Sequence, residues 1–131
     1  MSEHPPIGGP AAVYATYVAR LLETARLPLG DEKQAQEAMA KSFDTVGISY
    51  VREFRLSARD IVDFLIDCGV DQIAVELKIK GAPRAICRQC ERYCAHEAVG
   101  ALVLATRRAM SLPPLLHGKP CVVASLGVGW L

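Results

Sequence analysis

The feature that most constrains the fold is a pair of apolar segments separated by a short turn-forming sequence. The first segment covers residues 60–66 and the second covers residues 72–80, with the sequence DCGVD between them. Asp and Gly favour tight turns, and apolar runs of this length bounded by turn residues are typical of strands. We therefore expect the two segments to pair as an antiparallel hairpin within a sheet.

Other elements follow from apolar periodicity and from the positions of Pro and Gly. They are helices over residues 11–26, 31–46 and 83–96, and further strands over residues 48–56, 99–106 and 121–126. The order is two helices, three strands, a helix and two strands. This order predicts an α/β fold in which helices flank a central mixed β-sheet.

Size and composition predict one globular domain spanning residues 1–131, with residues 1–10 as a flexible arm. Hydrophobic residues make up 51% of the chain and charged residues 22%, which excludes a disordered composition. No apolar run reaches the roughly 20 residues that a membrane span needs, and no secretory signal is evident. The odd number of cysteines, 5, favours reduced thiols in a cytoplasmic protein. Because no apolar run is long enough to span a bilayer, we expect no association with a membrane.

The net charge of +1 conceals an uneven distribution. Residues 1–77 hold 7 Lys/Arg and 12 Asp/Glu (7 − 12 = −5), whereas residues 78–131 hold 8 and 2 (8 − 2 = +6). Such a division favours a face that binds a polyanion such as DNA. A solvated basic helix explains the same composition equally well.

The chemistry is expected on the hairpin. Side chains alternate across a strand, so Glu76 and Lys78 project together from one face of residues 72–80, and Asp63 is a lone acid in the neighbouring apolar strand. Two close carboxylates repel each other unless a cation holds them, and oxygen ligands suit Mg²⁺ or Mn²⁺. Lys78 could then orient an attacking water or stabilise charge on a phosphate. A buried ion network without a ligand is the alternative.

These residues resemble a known motif. An Asp in the first strand of a hairpin and Glu-X-Lys on the returning strand resemble the PD-(D/E)XK superfamily of nucleases, with Val62-Asp63 in place of the usual Pro-Asp pair. The order of elements over residues 31–126 is similar to that superfamily's restriction-endonuclease-like core, αβββαββ, with an extra N-terminal helix. The segment from Gln89 to Tyr93 resembles the QxxxY pattern of RecB-like members.

The resemblance implies a Mg²⁺-dependent (or Mn²⁺-dependent) DNA endonuclease, selective for DNA structure and homodimeric like Holliday-junction resolvases. It implies metal ligands on Asp63, Glu76 and the carbonyl of Leu77, with Lys78 as the catalytic cation. It also implies that Gln89 and Tyr93 lie over the site and contact substrate or metal-bound water. Resolvase-like members use an additional acid on the first core helix, for which Glu37 is the candidate and Glu53, on the following strand, is a competitor.

The helix over residues 83–96 is expected to have two faces with different roles. At 100° per residue, Gln89, Tyr93 and His96 fall within about 60° of one another, and three cysteines fall within another such sector roughly opposite. The first face is expected to point to the active site and the second to the core. Three arginines on its flank are expected to bind DNA: Arg84, Arg88 and Arg92.

The cysteines support a rival hypothesis, in which the chain is a cysteine-ligated metal–sulfur protein. Cys87, Cys90 and Cys94 would be ligands, with Cys68 or Cys121 as the fourth. A row on one helix does not surround a metal, and small buried cysteines are common in cores. A third possibility is a DNA-binding relative that has lost cleavage.

Overall fold

A computed structural model describes residues 9–127 as three helices and six strands. The helices are α1 (Gly9–Thr24), α2 (Glu32–Thr45) and α3 (Pro83–Cys94). The strands are β1 (Tyr50–Arg55), β2 (Ile61–Asp67), β3 (Gln72–Lys78), β4 (Ala101–Thr106), β5 (Leu115–Leu116) and β6 (Lys119–Ser125). The predicted order is confirmed, with the short β5 as an addition to it.

The strands form one mixed sheet in the order β1-β2-β3-β4-β6-β5. The predicted hairpin is confirmed, because β2 and β3 pair antiparallel from Phe64↔Val75 to Asp67↔Gln72. Strands β3, β4 and β6 run parallel to one another. The connection from β3 to β4 contains α3, as parallel neighbours require a crossover. The chain is therefore an α/β protein with a mixed sheet flanked by helices.

The sheet separates two apolar layers. The helices α1 and α2 pack on one face, where alternate residues of β3 such as Val75 and Leu77 are buried. The helix α3 packs on the other face against Ala74, Leu102 and Leu104. Glu76 lies on this second face of β3, as strand alternation predicts. The α3 layer thus contains a carboxylate surrounded by apolar side chains.

The first helix begins earlier than the sequence indicated. Residues 1–10 were expected to form an arm, but α1 already starts at Gly9, so residues 9 and 10 are helical; residues 1–8 lie outside the described part of the chain. Proline in the first turn does not interrupt a helix, because its missing N–H would have no partner there. None of the helices within residues 9–127 combines the length and the apolar character needed to cross a bilayer.

The second helix begins at a side-chain cap that places its first residues at the edge of the sheet. Asp31 has extended backbone angles, and its Oδ1 accepts hydrogen bonds from the N–H groups of Lys33 (2.9 Å) and Gln34 (3.3 Å). Such a cap satisfies N–H groups that have no partner within the helix. Glu32 is consequently the first helical residue.

Candidate active site

The central feature of the site is a reciprocal contact between β2 and β3 at the point where their backbone pairing ends. Phe64↔Val75 is the last pair of the ladder, so Asp63 and Glu76 are the next residues on the two strands. The Asp63 N–H donates to Glu76 Oε1 at 3.1 Å, and the Leu77 N–H donates to Asp63 Oδ2 at 2.8 Å. The two carboxylates therefore replace the backbone hydrogen bonds of the ladder, and this holds them side by side.

The backbone is also irregular on the other side of Asp63. The pairing of β1 with β2 includes Arg52↔Phe64 and Phe54↔Val62 but skips Glu53, the residue opposite Asp63. Glu53 has a φ of 52°, in the left-handed region that is strained for a residue other than glycine. The strand alternation changes here as well, since Phe64 packs in the α1–α2 layer while Val62 packs in the α3 layer. Local strain is thus concentrated next to the carboxylate pair.

Burial and mutual repulsion make the pair poorly suited to carrying two negative charges. Glu76 is only 4% exposed. Burial and the neighbouring Asp63 carboxylate raise the pKa of Glu76 to about 8, with the Lys78 ammonium opposing the shift. Burial also raises the pKa of Asp63, against a hydrogen bond from the Leu77 N–H. The pair therefore retains a proton at neutral pH unless a cation compensates its charge.

One positive charge lies beside the pair, at the mouth of a cavity. The Lys78 Nζ is 3.5 Å from Glu76 Oε2, and the Lys78 side chain is 26% exposed. Lys78 also lines a cavity of about 270 Å³ together with Gly30, Glu32, Ile79 and Lys80. The lysine thus has access both to the buried carboxylate and to solvent-filled space.

Glu32 is the acidic residue of α2 that lies near the site, and sequence reasoning missed it. Its charge contributes to the raised pKa of Asp63, and its side chain lines the cavity that Lys78 borders. The predicted additional acid, Glu37, lies on the exposed face of α2 and forms an ion pair of 2.8 Å with Arg52 of β1. Its competitor Glu53 is exposed on β1.

The two residues of the QxxxY pattern are linked to the site through the Tyr93 hydroxyl group. Tyr93 is buried, and its hydroxyl donates to the Ile61 carbonyl at 2.9 Å, with Glu76 Oε2 at 3.4 Å. The Gln89 Nε2 donates to the same hydroxyl at 2.8 Å. Burial and the charge of Glu76 raise the pKa of Tyr93. Tyr93 therefore reaches Glu76 directly, while Gln89 reaches it through Tyr93.

This arrangement corrects the predicted division of α3 into two opposite faces. Tyr93 was expected on the site-facing side, away from the cysteines, but it is buried in the same apolar layer as Cys90 and Cys94. The two assignments are compatible because tyrosine is amphipathic, with a ring that packs in the core and a hydroxyl that reaches a polar group. Cys87 is only partly buried.

A second charged group fixes the end of α3 to the start of β2. Asp60 is buried, and its two carboxylate oxygens contact Arg92 Nε at 3.3 Å and His96 Nε2 at 3.0 Å. Although burial opposes the shift, the hydrogen bonds from His96 and Arg92 lower the pKa of Asp60. Because Ile61 follows Asp60, these contacts also hold α3 where the Tyr93 hydroxyl can meet the Ile61 carbonyl.

The three arginines predicted to bind DNA have different surroundings. Arg84 and Arg88 are exposed on α3. Arg92 is partly buried and is engaged by Asp60, which reduces its availability for a phosphate. The Leu77 backbone lies beside Asp63 through its N–H group, and the expected role of the Leu77 carbonyl stays a prediction.

The cysteines do not converge on one point. The Sγ atoms of Cys94 and Cys121 are 3.7 Å apart, across α3 and β6. Cys68 lies elsewhere and donates to the Asp71 carbonyl at 3.1 Å. Within residues 9–127, no three side chains of the His, Cys, Asp and Glu types are arranged to hold a metal ion.

No protein-family model matches the chain, and a search of curated proteins returns no match. The candidate site therefore stands on its residues and their geometry, and the likeness to PD-(D/E)XK nucleases stays a resemblance of motif and element order.

Proposed function

We propose that the chain is a Mg²⁺-dependent nuclease that hydrolyses phosphodiester bonds in DNA, as a relative of the PD-(D/E)XK superfamily. One observation carries this proposal. Asp63 and Glu76 lie side by side where the hairpin ladder ends, and Lys78 lies between them and an open cavity. The resemblance in the motif supplies the reaction class, and the geometry supplies a site in which those residues can act together.

The chemistry of the donor groups fits a hard divalent cation. Carboxylate oxygens are the ligands that Mg²⁺ prefers, and this ion usually keeps several waters while binding one or two protein carboxylates and a substrate phosphate. Asp63 and Glu76 provide two such groups, and burial raises the pKa of both, with repulsion from Asp63 adding to the shift of Glu76, so a cation beside them would favour their charged forms. Glu32, on the cavity wall, could hold a third oxygen near the ion through a water molecule.

Each remaining residue has a role that follows from its contacts. Lys78 can donate to a phosphate oxygen or to the attacking water, because its ammonium group reaches both Glu76 and the cavity. Tyr93 orients Glu76 from the buried side, and Gln89 positions the Tyr93 hydroxyl. When bound, Mg²⁺ would stabilise the charge that develops on the phosphate and lower the pKa of its water.

The choice of DNA as substrate rests on charge. Residues 78–131 have a balance of +6 (8 − 2), and two of their cations, Lys78 and Lys80, line the cavity at the site. Selectivity for junctions or other DNA structures, and a homodimeric assembly, come from the resemblance to resolvases. We propose both as part of the same function.

Cleavage assays on single-site variants test the proposal. The substrates are a duplex, a flap, a free end and a four-way junction, each with Mg²⁺ and with EDTA. We expect cleavage of at least one of them, dependent on Mg²⁺ and abolished by Asp63→Asn, Glu76→Gln and Lys78→Ala. Glu91→Gln, an exposed acid on α3, serves as the matched control and should cleave normally. Cleavage by either carboxylate variant at the wild-type rate would overturn the assignment.

A further inference from the structure

A second cavity lies next to the one at the carboxylate pair, and its position follows from the parallel strands. Lys78 of β3 pairs with Thr106 of β4, and the two strands run in the same direction. The residues that follow them therefore leave the sheet at the same edge. Lys80 follows β3, and Arg107 and Arg108 follow β4. Lys80 is therefore brought close to two cations that lie 27 and 28 positions later in the chain. We call these three residues the basic cluster.

The basic cluster lines a cavity of about 370 Å³ that adjoins the proposed active site. Its walls are Leu29, Gly30, Ile79, Lys80, Arg107 and Arg108. Three of these, Gly30, Ile79 and Lys80, also line the cavity that contains Lys78 and Glu32. The two cavities share a wall, and no acidic residue is found among the described residues that line the second.

The two arginines are oriented by the surrounding backbone. The Arg108 N–H donates to Thr106 Oγ1 at 2.9 Å, and Thr106 is fully buried. The Arg107 Nη1 lies 3.5 Å from the Leu29 carbonyl, in the segment between α1 and α2. Both arginines are nevertheless exposed to solvent. A fixed backbone with exposed guanidinium groups is suited to an anion that approaches from outside.

We propose that the basic cluster binds the DNA phosphate next to the scissile one on the cleaved strand, and thereby sets the register of the strand in the active site. Guanidinium groups match phosphate oxygens through paired hydrogen bonds, and an ammonium adds a further donor. The shared wall places this phosphate site beside Lys78. This inference rests on the proposed nuclease function and adds a phosphate site to it. It also moves the main phosphate contact from α3, where Arg92 is engaged by Asp60, to the edge of the sheet.

The first test measures DNA binding in EDTA, where cleavage does not interfere. If the cluster neutralises one phosphate, Arg107→Gln/Arg108→Gln should reduce the dependence of log K on log salt concentration by about 0.9 for duplex DNA. Arg20→Gln/Lys41→Gln is the control, because it removes the same charge from exposed positions of α1 and α2 that line neither cavity. We expect the control to keep the wild-type slope. Equal slopes for wild type and the arginine variant would overturn the inference.

The second test identifies the phosphate. After the cut position is mapped on a defined DNA, a neutral methylphosphonate replaces each neighbouring phosphate in turn. At one position adjacent to the cut, the replacement should weaken binding by the wild type but have little further effect on the arginine double variant, since both changes remove the same contact. Additive losses at every position would mean that the arginines act only through general charge.

The outcomes separate this inference from the proposed function. If the wild type cleaves DNA and the arginine variant keeps the wild-type salt slope, the phosphate site is contradicted and the nuclease function is not. Wild type that binds DNA through the basic cluster without cutting it contradicts the nuclease and keeps the phosphate site. Wild type that neither binds nor cuts DNA contradicts both.

Discussion

The raised pKa of Glu76 has a consequence for folding that can be measured without any substrate. In the folded protein this pKa is about 8, compared with an ordinary value of 4.5. Between these two pKa values the folded state holds a proton on Glu76 that the unfolded state has released. The contribution of this proton to the free energy of unfolding is fully present below about pH 4.5 and is lost as the pH rises through 8. The difference between the two pKa values corresponds to a loss of about 5 kcal/mol.

Glu76→Gln should remove most of this loss. The amide oxygen that this substitution introduces can still accept the hydrogen bond from the Asp63 N–H, and a neutral group no longer repels the Asp63 carboxylate. We therefore expect the metal-free variant to unfold at a temperature roughly 15 °C above that of the wild type at pH 9. At pH 5, where Glu76 is protonated in the folded wild type, the two proteins should differ little.

The assay is thermal unfolding in EDTA at pH values from 5 to 9, with Glu91→Gln as the control for loss of an exposed acid. The difference between Glu76→Gln and wild type reports on the carboxylate pair, because the titrating residues outside the pair are common to both proteins. Parallel curves of unfolding temperature against pH for wild type and Glu76→Gln would show that Glu76 does not hold a proton in the folded protein. A variant that is less stable at pH 9 would show that the Lys78 contact outweighs the repulsion.

Three further predictions concern residues around the pair. Glu32→Gln should lower the cleavage rate more than Glu37→Gln does, because Glu32 lines the cavity and Glu37 pairs with Arg52 on the surface; the opposite order would restore Glu37 as the additional acid. Cys90→Ala should cost on the order of 1 kcal/mol of stability, since a buried side chain is shortened, with cleavage kept. Stoichiometric zinc or iron in the wild type, lost from Cys90→Ala, would instead support the metal–sulfur hypothesis. Glu53→Gly should stabilise the fold by up to about 1 kcal/mol, because glycine adopts the positive φ without strain and this gain exceeds the greater entropy that glycine loses on folding. A lower melting temperature of the variant would contradict this prediction.

The hairpin and the pairing of its acids could be predicted because they depend on short-range features. Five residues of turn sequence join two apolar segments, and alternation within a strand determines the face on which Glu76 lies. The strand β5 was missed because it consists only of Leu115–Leu116, directly after two prolines. It pairs antiparallel with β6 across the two-residue turn His117-Gly118, in which both residues have a positive φ, so Gly118 is the local signal that could have revealed the hairpin.

Glu32 could not be distinguished from Glu37 by the sequence pattern. Glu32 and Glu37 lie on the same helix, about 140° apart around its axis. Periodicity indicates which face is apolar, but both acids lie off that face, so only the position of α2 against the sheet distinguishes them. The burial of Tyr93 and the engagement of Arg92 by Asp60 likewise depend on how α3 packs on β2. The strain at Glu53 has no signal in the sequence, since no glycine marks it.

The proposed function requires that Asp63 and Glu76 form one site for a divalent cation. Calorimetric titration of the protein with Mn²⁺, in two buffers of different ionisation enthalpy, tests it most directly because metal binding must displace the proton held by the pair. We predict binding of one ion with release of nearly one proton at pH 7, little release at pH 9, and no binding by Asp63→Asn or Glu76→Gln. Absence of Mn²⁺ binding by the wild type, or equal binding by the two variants, would show that Asp63 and Glu76 are not a cation site.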